Sequence, residues 1–299
     1  MNQFIKKILV FFILLSVLSV IIVFFLDFLG WSDTSYKKLK STGEVSLILG
    51  DSRAAQGIHP DVINKELLGE RYALPIFNFA FTARTSPYGE VYYNAIEKKI
   101  SGTNIDNGLF ILAVDPWSLS FNEGETLNNL REMPECLSEV DYYMKPNFQY
   151  IWKYARPIPL FSLMHLKDDG WLEIDVSMDS VSLCKRIENK KREYSKDKIS
   201  RSEYRIQWLN KTIDYLKSRG HVVMCRIPAS PWFYELEDSL WPNFEEDMII
   251  ISKDKNIPYF SFKNHHNKYQ TIDGNHLYKD DGGVFTKDLC DSIKYKGII

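Results

Sequence analysis

Short apolar runs bounded on one side or the other by glycine or proline, in alternation with helix-patterned stretches, constrain this chain more than any other feature. "VSLILG" (45–50), "IFNFAF" (76–81), "GLFILAVDP" (108–116), "HVVMCRIP" (221–228) and "PYFSF" (258–262) are such runs. Their length and bounding turn residues read as buried strands. Between them, "HPDVINKELLG" (59–69) has Pro60 near its start and Gly69 at its end, the punctuation of a helix. "SPYGEVYYNAIEKKISG" (86–102) opens on Ser-Pro and closes on Gly in the same way. In "SEYRIQWLNKTIDYLKSRG" (202–220), Ile206, Leu209, Ile213 and Leu216 recur at helical spacing. "NFEEDMIIISKDKN" (243–256) and the carboxyl-terminal "KDDGGVFTKDLCDSIKYK" read as two further helices. Strand and helix in alternation mean parallel strands joined by crossover helices. The expected fold class is α/β, a three-layer sandwich around a mostly parallel sheet. Ligands of such sheets bind at the carboxyl edge of the strands.

Residues 117–200 break the rhythm with scattered aromatics, several prolines and the charge-rich "KRIENKKREYSKDK" (185–198). They are expected to form a mainly helical insertion, the charge run being a solvated helix face.

The amino terminus sets a second constraint. Ile8–Leu26 is "ILVFFILLSVLSVIIVFFL", without a charge and long enough to span a hydrocarbon core. No small-residue cleavage pattern follows it, so an uncleaved signal anchor is expected. Lys6 and Lys7 abut the run, whereas Lys37, Lys38 and Lys40 lie more than a helical turn beyond it. That favours a cytoplasmic amino terminus and an extracytoplasmic main domain. The resulting plan is a cytoplasmic stub and anchor over 1–29, with residues 8–29 in the bilayer. A linker over 30–43 and the α/β domain over 44–299 follow.

A formal net charge of -2 over 299 residues gives no basic footprint for nucleic acid. Of the four cysteines, Cys225 sits in an apolar run and reads as a core thiol. Cys136 and Cys184 are a candidate disulfide pair, and no cysteine spacing fits a zinc motif. His265, His266, Asp273 and His276 cluster in the sequence but lack the helical His-x-x-x-His spacing, so neither metal nor cofactor is expected.

The first strand ends in "ILGDSRAA" (48–55). Gly50 permits a sharp turn, which places Ser52 at the carboxyl edge of the sheet. Asp51 or Ser52 capping an ordinary helix is the simpler alternative. A serine hydroxyl needs a base to act as a nucleophile, most often a histidine oriented by a carboxylate. Five of the six histidines (His59, His165, His221, His265, His266) read as surface or capping residues. His276 lies in "TIDGNHL" (271–277), after the fifth strand and before the last helix. Gly274 lets the chain turn so that Asp273 can reach the imidazole; an Asx turn is the alternative.

Gly-Asp-Ser after strand one, followed near the carboxyl end by Asp-x-x-His, resembles the SGNH/GDSL hydrolase family. The resemblance runs from about 45 to 299 outside the insertion and is nearest to membrane-anchored bacterial members associated with envelope or exopolysaccharide machinery. It rests also on "IFNFAF", "ILAVDPWSL" and "DGNHLYKDDG". The resemblance implies a flavodoxin-like strand order and a triad of Ser52 as nucleophile, His276 as base and Asp273 as orienting acid. It implies oxyanion donors from the Ser52 N–H, from a backbone amide at Ala80 or Ala83 where the family has glycine, and from an asparagine, for which Asn78 is the candidate. The family's Gly-x-Asn-Asp block is missing, with Asp115 where an amide is wanted. Arg53 stands where the GDSL pattern has leucine.

Two function classes follow. The first is an esterase or O-acyltransferase acting through an acyl-serine on envelope polysaccharide or another acylated glycan. The second is a catalytically silent module binding a glycan or a membrane-protein partner, with Asp115-Pro116-Trp117 and Trp152-Lys153-Tyr154 as candidate contacts.

Overall fold

The computed structural model describes residues 2–29, 35–40, 43–81, 88–102, 106–127, 130, 163–196, 198–265 and 267–296. Its strands are β1 (Ser46–Leu49), β2 (Ile76–Asn78), β3 (Gly108–Ala113), β4 (Ser120–Asn122), β5 (Met164–Leu166), β6 (Leu172–Ile174), β7 (Ile199–Arg201), β8 (Gly220–Arg226) and β9 (Tyr259–Ser261). Its helices are α1 (Asn2–Leu29), α2 (Tyr36–Lys40), α3 (Ser52–Gly57), α4 (Pro60–Glu66), α5 (Glu90–Ile100), α6 (Ser180–Tyr194), α7 (Glu203–Lys217), α8 (Pro231–Leu240), α9 (Phe244–Lys255) and α10 (Lys279–Lys296).

The main sheet has the order β2-β1-β3-β8-β9, and every neighbouring pair is parallel. In chain order of its own strands this is 2-1-3-4-5, whose switch point falls between β1 and β3. Side chains alternate across it. Leu47, Leu49, Phe110, Leu112, Val222 and Met224 belong to one core cluster, with Tyr92 and Ile96 of α5, Leu209 and Ile213 of α7 and Met248 of α9. Ile48, Ile76, Leu109, Ile111, Val223 and Cys225 belong to the other, with Ala54 of α3, Ile63 of α4 and Phe285 and Leu289 of α10. Burial on both faces of the central strands explains why they are mainly apolar rather than alternating, with Ser46, Asn78 and Arg226 at strand ends.

Gln3–Phe25 of α1 is long and apolar enough to cross a membrane, and none of it is buried against the domain. Its two serines satisfy their hydroxyls on the preceding turn, Ser16 on the Phe12 carbonyl and Ser19 on the Leu15 carbonyl, both at 2.8 Å. A lipid-facing serine needs such a partner, because no water is at hand.

Three expectations need correction. The stretch 30–43 is not a free linker throughout: α2 docks on the domain and buries Tyr36, Lys38 and Leu39. The helix expected from Ser86 begins at Glu90, after Gly89. The insertion is not mainly helical in its described residues. It holds α6 and two antiparallel ribbons, β4 with β7 and β5 with β6. The β4–β7 ladder pairs Ser120 with Arg201 and Asn122 with Ile199, so it closes the base of the insertion where the chain leaves and re-enters the α/β rhythm. Cys184, Cys225 and Cys290 are free thiols, and burial pushes the Cys225 thiol up to about 12. Cys136, its proposed partner role included, lies outside the described residues.

Candidate active site

The turn after β1 is built by packing. Gly50 has φ +142°, and a Cβ there would lie 3.0 Å from the Cβ atoms of both Ala113 and Ala54. Gly50 is therefore where the turn after β1 runs too close to β3 and α3 for a side chain. The Gly50 carbonyl accepts the Phe81 N–H at 3.1 Å, and its own N–H reaches the Tyr92 hydroxyl at 3.2 Å. Asp51 caps α3 by accepting the Arg53 N–H at 2.9 Å. Ser52 follows it, partly exposed at the carboxyl edge of the sheet.

The second loop is an Asx turn that also holds a base. Asp273 Oδ1 accepts the N–H groups of Asn275 and His276, both at 2.9 Å. Its Oδ2 lies 2.8 Å from His276 Nδ1, and His276 Nε2 lies 2.9 Å from Ser52 Oγ. A carboxylate on Nδ1 selects the tautomer protonated there, which leaves Nε2 to accept the serine proton. Burial opposes ionisation of Asp273. The His276 ring, the backbone N–H and Lys190 outweigh it and hold the carboxyl well below the usual range. The turn alternative and the site are thus one structure: the same carboxylate caps the loop and faces the ring. Gly274 has φ +91°, and the Trp232 indole lies where its Cβ would be, 2.3 Å away at Nε1. Ser230 fixes the Gly274 carbonyl through its N–H and its hydroxyl, each at 2.8 Å.

The other candidates fall elsewhere. Asn78 is fully buried and turned inward: its Nδ2 donates to the carbonyls of Ala54 at 2.9 Å and Ile58 at 3.0 Å. Its Oδ1 accepts the Ala80 N–H at 3.1 Å. These bonds leave neither group free to donate to an oxyanion, since Asn78 Nδ2 is spent on the carbonyls at the end of α3 and the Ala80 N–H on Asn78 Oδ1. Ala83 and Trp152-Lys153-Tyr154 lie outside the described residues. Among the described residues the Ser52 N–H has no hydrogen-bond acceptor, which leaves it available. Trp117 is a core residue, 4.7 Å from the Tyr194 ring and in one cluster with Phe233, rather than an exposed contact. His59 is buried on Trp171 with centroids 4.0 Å apart. Among the described residues no group of three or more His, Cys, Asp or Glu side chains could hold a metal.

Two departures from the GDSL pattern answer one another. Asp115 is buried, and its Oδ2 lies 3.7 Å from Arg53 Nη1. Arg53 also binds Glu237 Oε1 at 2.8 Å and the Ile227 carbonyl at 2.7 Å. Glu237 in turn binds Arg226 Nη2 at 2.6 Å, and Arg226 reaches Glu245. The Asp115 carboxylate thus faces a guanidinium, and the network lies directly behind Ser52. Burial, and then the neighbouring Asp115, push the Asp51 carboxyl well up, with Arg53 pulling the other way.

A hollow of about 500 Å³ lies at the opposite edge, lined by Arg71, Tyr72, Gly220, His221 and Asn256. It is remote from the chemistry described above, since it sits where β8 begins rather than where it ends. Two of its cations, Lys217 and Lys253, stand in the last turns of α7 and α9, where they complement the carbonyl ends of those helices.

No family model matches this chain, and no curated protein matches it.

Proposed function

We propose that this chain is a membrane-anchored serine esterase or O-acyltransferase of SGNH type, its three-layer domain facing outward and acting on an acylated glycan of the cell envelope. The observation that carries the reading is the aligned pair of short contacts, Ser52 Oγ to His276 Nε2 at 2.9 Å and His276 Nδ1 to Asp273 Oδ2 at 2.8 Å. Ser52 Oγ bonds to the acyl carbon while its proton passes to His276 Nε2. The ester C–O bond breaks, and the departing alcohol takes that proton. Water, or a sugar hydroxyl, then bonds to the acyl carbon and gives its proton to His276 Nε2; the acyl C–Oγ bond breaks, and Ser52 Oγ takes that proton back, which regenerates both residues. Asp273 orients the ring and stabilises the imidazolium. The apolar helix α1 supports an envelope location, and the resemblance to envelope-associated SGNH proteins supports a glycan substrate. The Ser52 N–H is the oxyanion donor in this reading. Each missing donor costs about a hundred- to a thousand-fold in turnover, so a slow enzyme is expected.

The commitment of Asn78 and Ala80 to internal bonds favours a second reading, a silent glycan- or protein-binding module of the same fold. Pre-steady-state hydrolysis of p-nitrophenyl acetate separates the two. An enzyme releases a burst of nitrophenolate equal to the protein concentration, and the burst is lost in Ser52→Ala. No burst above the Ser52→Ala background leaves the binding module standing.

A further inference from the structure

Arg186, Lys190 and Tyr194 recur along α6 at i, i+4 and i+8, which places them on one face of the helix. All three meet the loop that carries the acid and the base. Arg186 Nε donates to the Ile272 carbonyl at 2.7 Å. Lys190 Nζ lies 3.7 Å from Asp273 Oδ2. The Tyr194 hydroxyl accepts from Asn275 Nδ2 at 3.3 Å. The stripe therefore reads the loop residue by residue, at 272, 273 and 275, and the ammonium faces the same carboxylate oxygen that faces His276 Nδ1.

We propose that Lys190 is a positioning residue: from the inserted helix it holds the Asp273 carboxylate on His276, so that α6 braces the acid–base pair from outside the α/β sheet. This rests on the roles given above to Ser52, His276 and Asp273. It assigns a task to a helix whose charges read, in sequence, as a solvated face. Arg186 and Tyr194 set where α6 sits along the loop, and Lys190 supplies the charge. Its ammonium is shared with Glu193, 3.2 Å away, and lies 5.3 Å from the centre of the Tyr194 ring. The other charged groups in this neighbourhood are Asp51 and Asp115, within electrostatic reach of the Tyr194 phenol, and Arg53 beside Asp115. Among the described residues Lys190 is the only lysine or arginine paired with Asp273. A lone ion pair between Lys190 and Glu193 is the competing explanation, and it predicts no effect on the imidazole.

The test uses the full chain in detergent micelles, with wild type, Lys190→Met, Lys190→Arg and Glu193→Gln. The first readout needs no turnover: the far-downfield NMR signal of the hydrogen-bonded His276 Nδ1 proton, assigned by its loss in His276→Gln. It is expected in wild type, Lys190→Arg and Glu193→Gln, and lost or exchange-broadened in Lys190→Met. The second readout is the rate of fluorophosphonate labelling against pH. Lys190→Met is expected to label about ten-fold more slowly, inside the roughly hundred-fold that a 1 Å misplacement can cost. Lys190→Arg is expected to restore both. An unchanged downfield proton in Lys190→Met, or the same loss in Glu193→Gln, overturns the role of Lys190. A wild type that shows the proton but never labels overturns the proposed function instead, and leaves the brace to be judged by the proton alone.

Discussion

Replacing Arg53 by leucine introduces the residue that the GDSL pattern carries at the matching place, and the buried contacts of Arg53 predict that it will harm this protein. The Arg53 side chain is 1% exposed and touches Glu237 at 2.8 Å, Asp115 at 3.7 Å and the Ile227 carbonyl at 2.7 Å. Leucine leaves Glu237 with Arg226, which still holds it at 2.6 Å. It leaves Asp115 buried without its guanidinium, and one carbonyl without its donor. Removing one partner of a buried ion pair costs about 3–5 kcal/mol, a large part of the roughly 5–15 kcal/mol that holds a domain together. At about 2–4 °C per kcal/mol for a domain of this size, the midpoint should fall by about 6–20 °C. Glu237→Ala should cost more, because it removes the carboxylate shared by two buried guanidiniums and leaves Arg53 with only the 3.7 Å contact to Asp115 and Arg226 with only the part-exposed Glu245. The assay is thermal unfolding of the full chain in detergent, followed by the fluorescence of its seven tryptophans. A midpoint for Arg53→Leu at or above wild type, or a smaller loss for Glu237→Ala than for Arg53→Leu, refutes the argument that this network is held by pairing.

Gly274→Ala puts a methyl group into the Trp232 indole at φ +91°, so labelling at Ser52 should fall by about a hundred-fold while Gly283→Ala, where a Cβ meets nothing closer than 3.7 Å, stays near wild type. Burial, and then Lys99, lower Lys38 to about 7. The unfolded chain then binds the extra proton between about 7 and 10.5, so wild-type stability should rise with pH across that window relative to Lys38→Met, measured by urea unfolding at several pH values; parallel curves contradict it. Burial lowers His59 to about 4, so the stability it contributes is complete above about 6.5 and is lost as pH falls towards 4. His59→Gln should flatten that part of the acid-unfolding curve, and an unchanged curve refutes the assignment.

What could be read from the sequence was local or periodic. The apolar runs marked all five strands of the parallel sheet, because the central strands are buried on both faces and keep their few polar residues, such as Ser46, Asn78 and Arg226, at their ends. Ser52, Asp273 and His276 were legible because each sits in a turn whose glycine and Asx chemistry is written in three or four consecutive residues. Asn78 was misjudged because an amide's partners are chosen by tertiary packing, here the carbonyl end of α3. The pairing of Arg53 with Asp115 and Glu237 was hidden for the same reason: its partners lie about sixty and nearly two hundred positions along the chain. The α6 stripe did have a signal, since Arg186, Lys190 and Tyr194 share one face, but a charged face names no partner by itself. The ribbons of the insertion have strands of three residues each, too short for any periodicity to show.

The central claim is that Ser52 is a nucleophile activated by His276. Peptide mapping by mass spectrometry after exposure of the full chain to a fluorophosphonate tests it most directly. The adduct should lie on Ser52 and on no other serine, and it should vanish in His276→Ala. An adduct on another residue, or one that forms on Ser52 at the same rate without His276, contradicts the account.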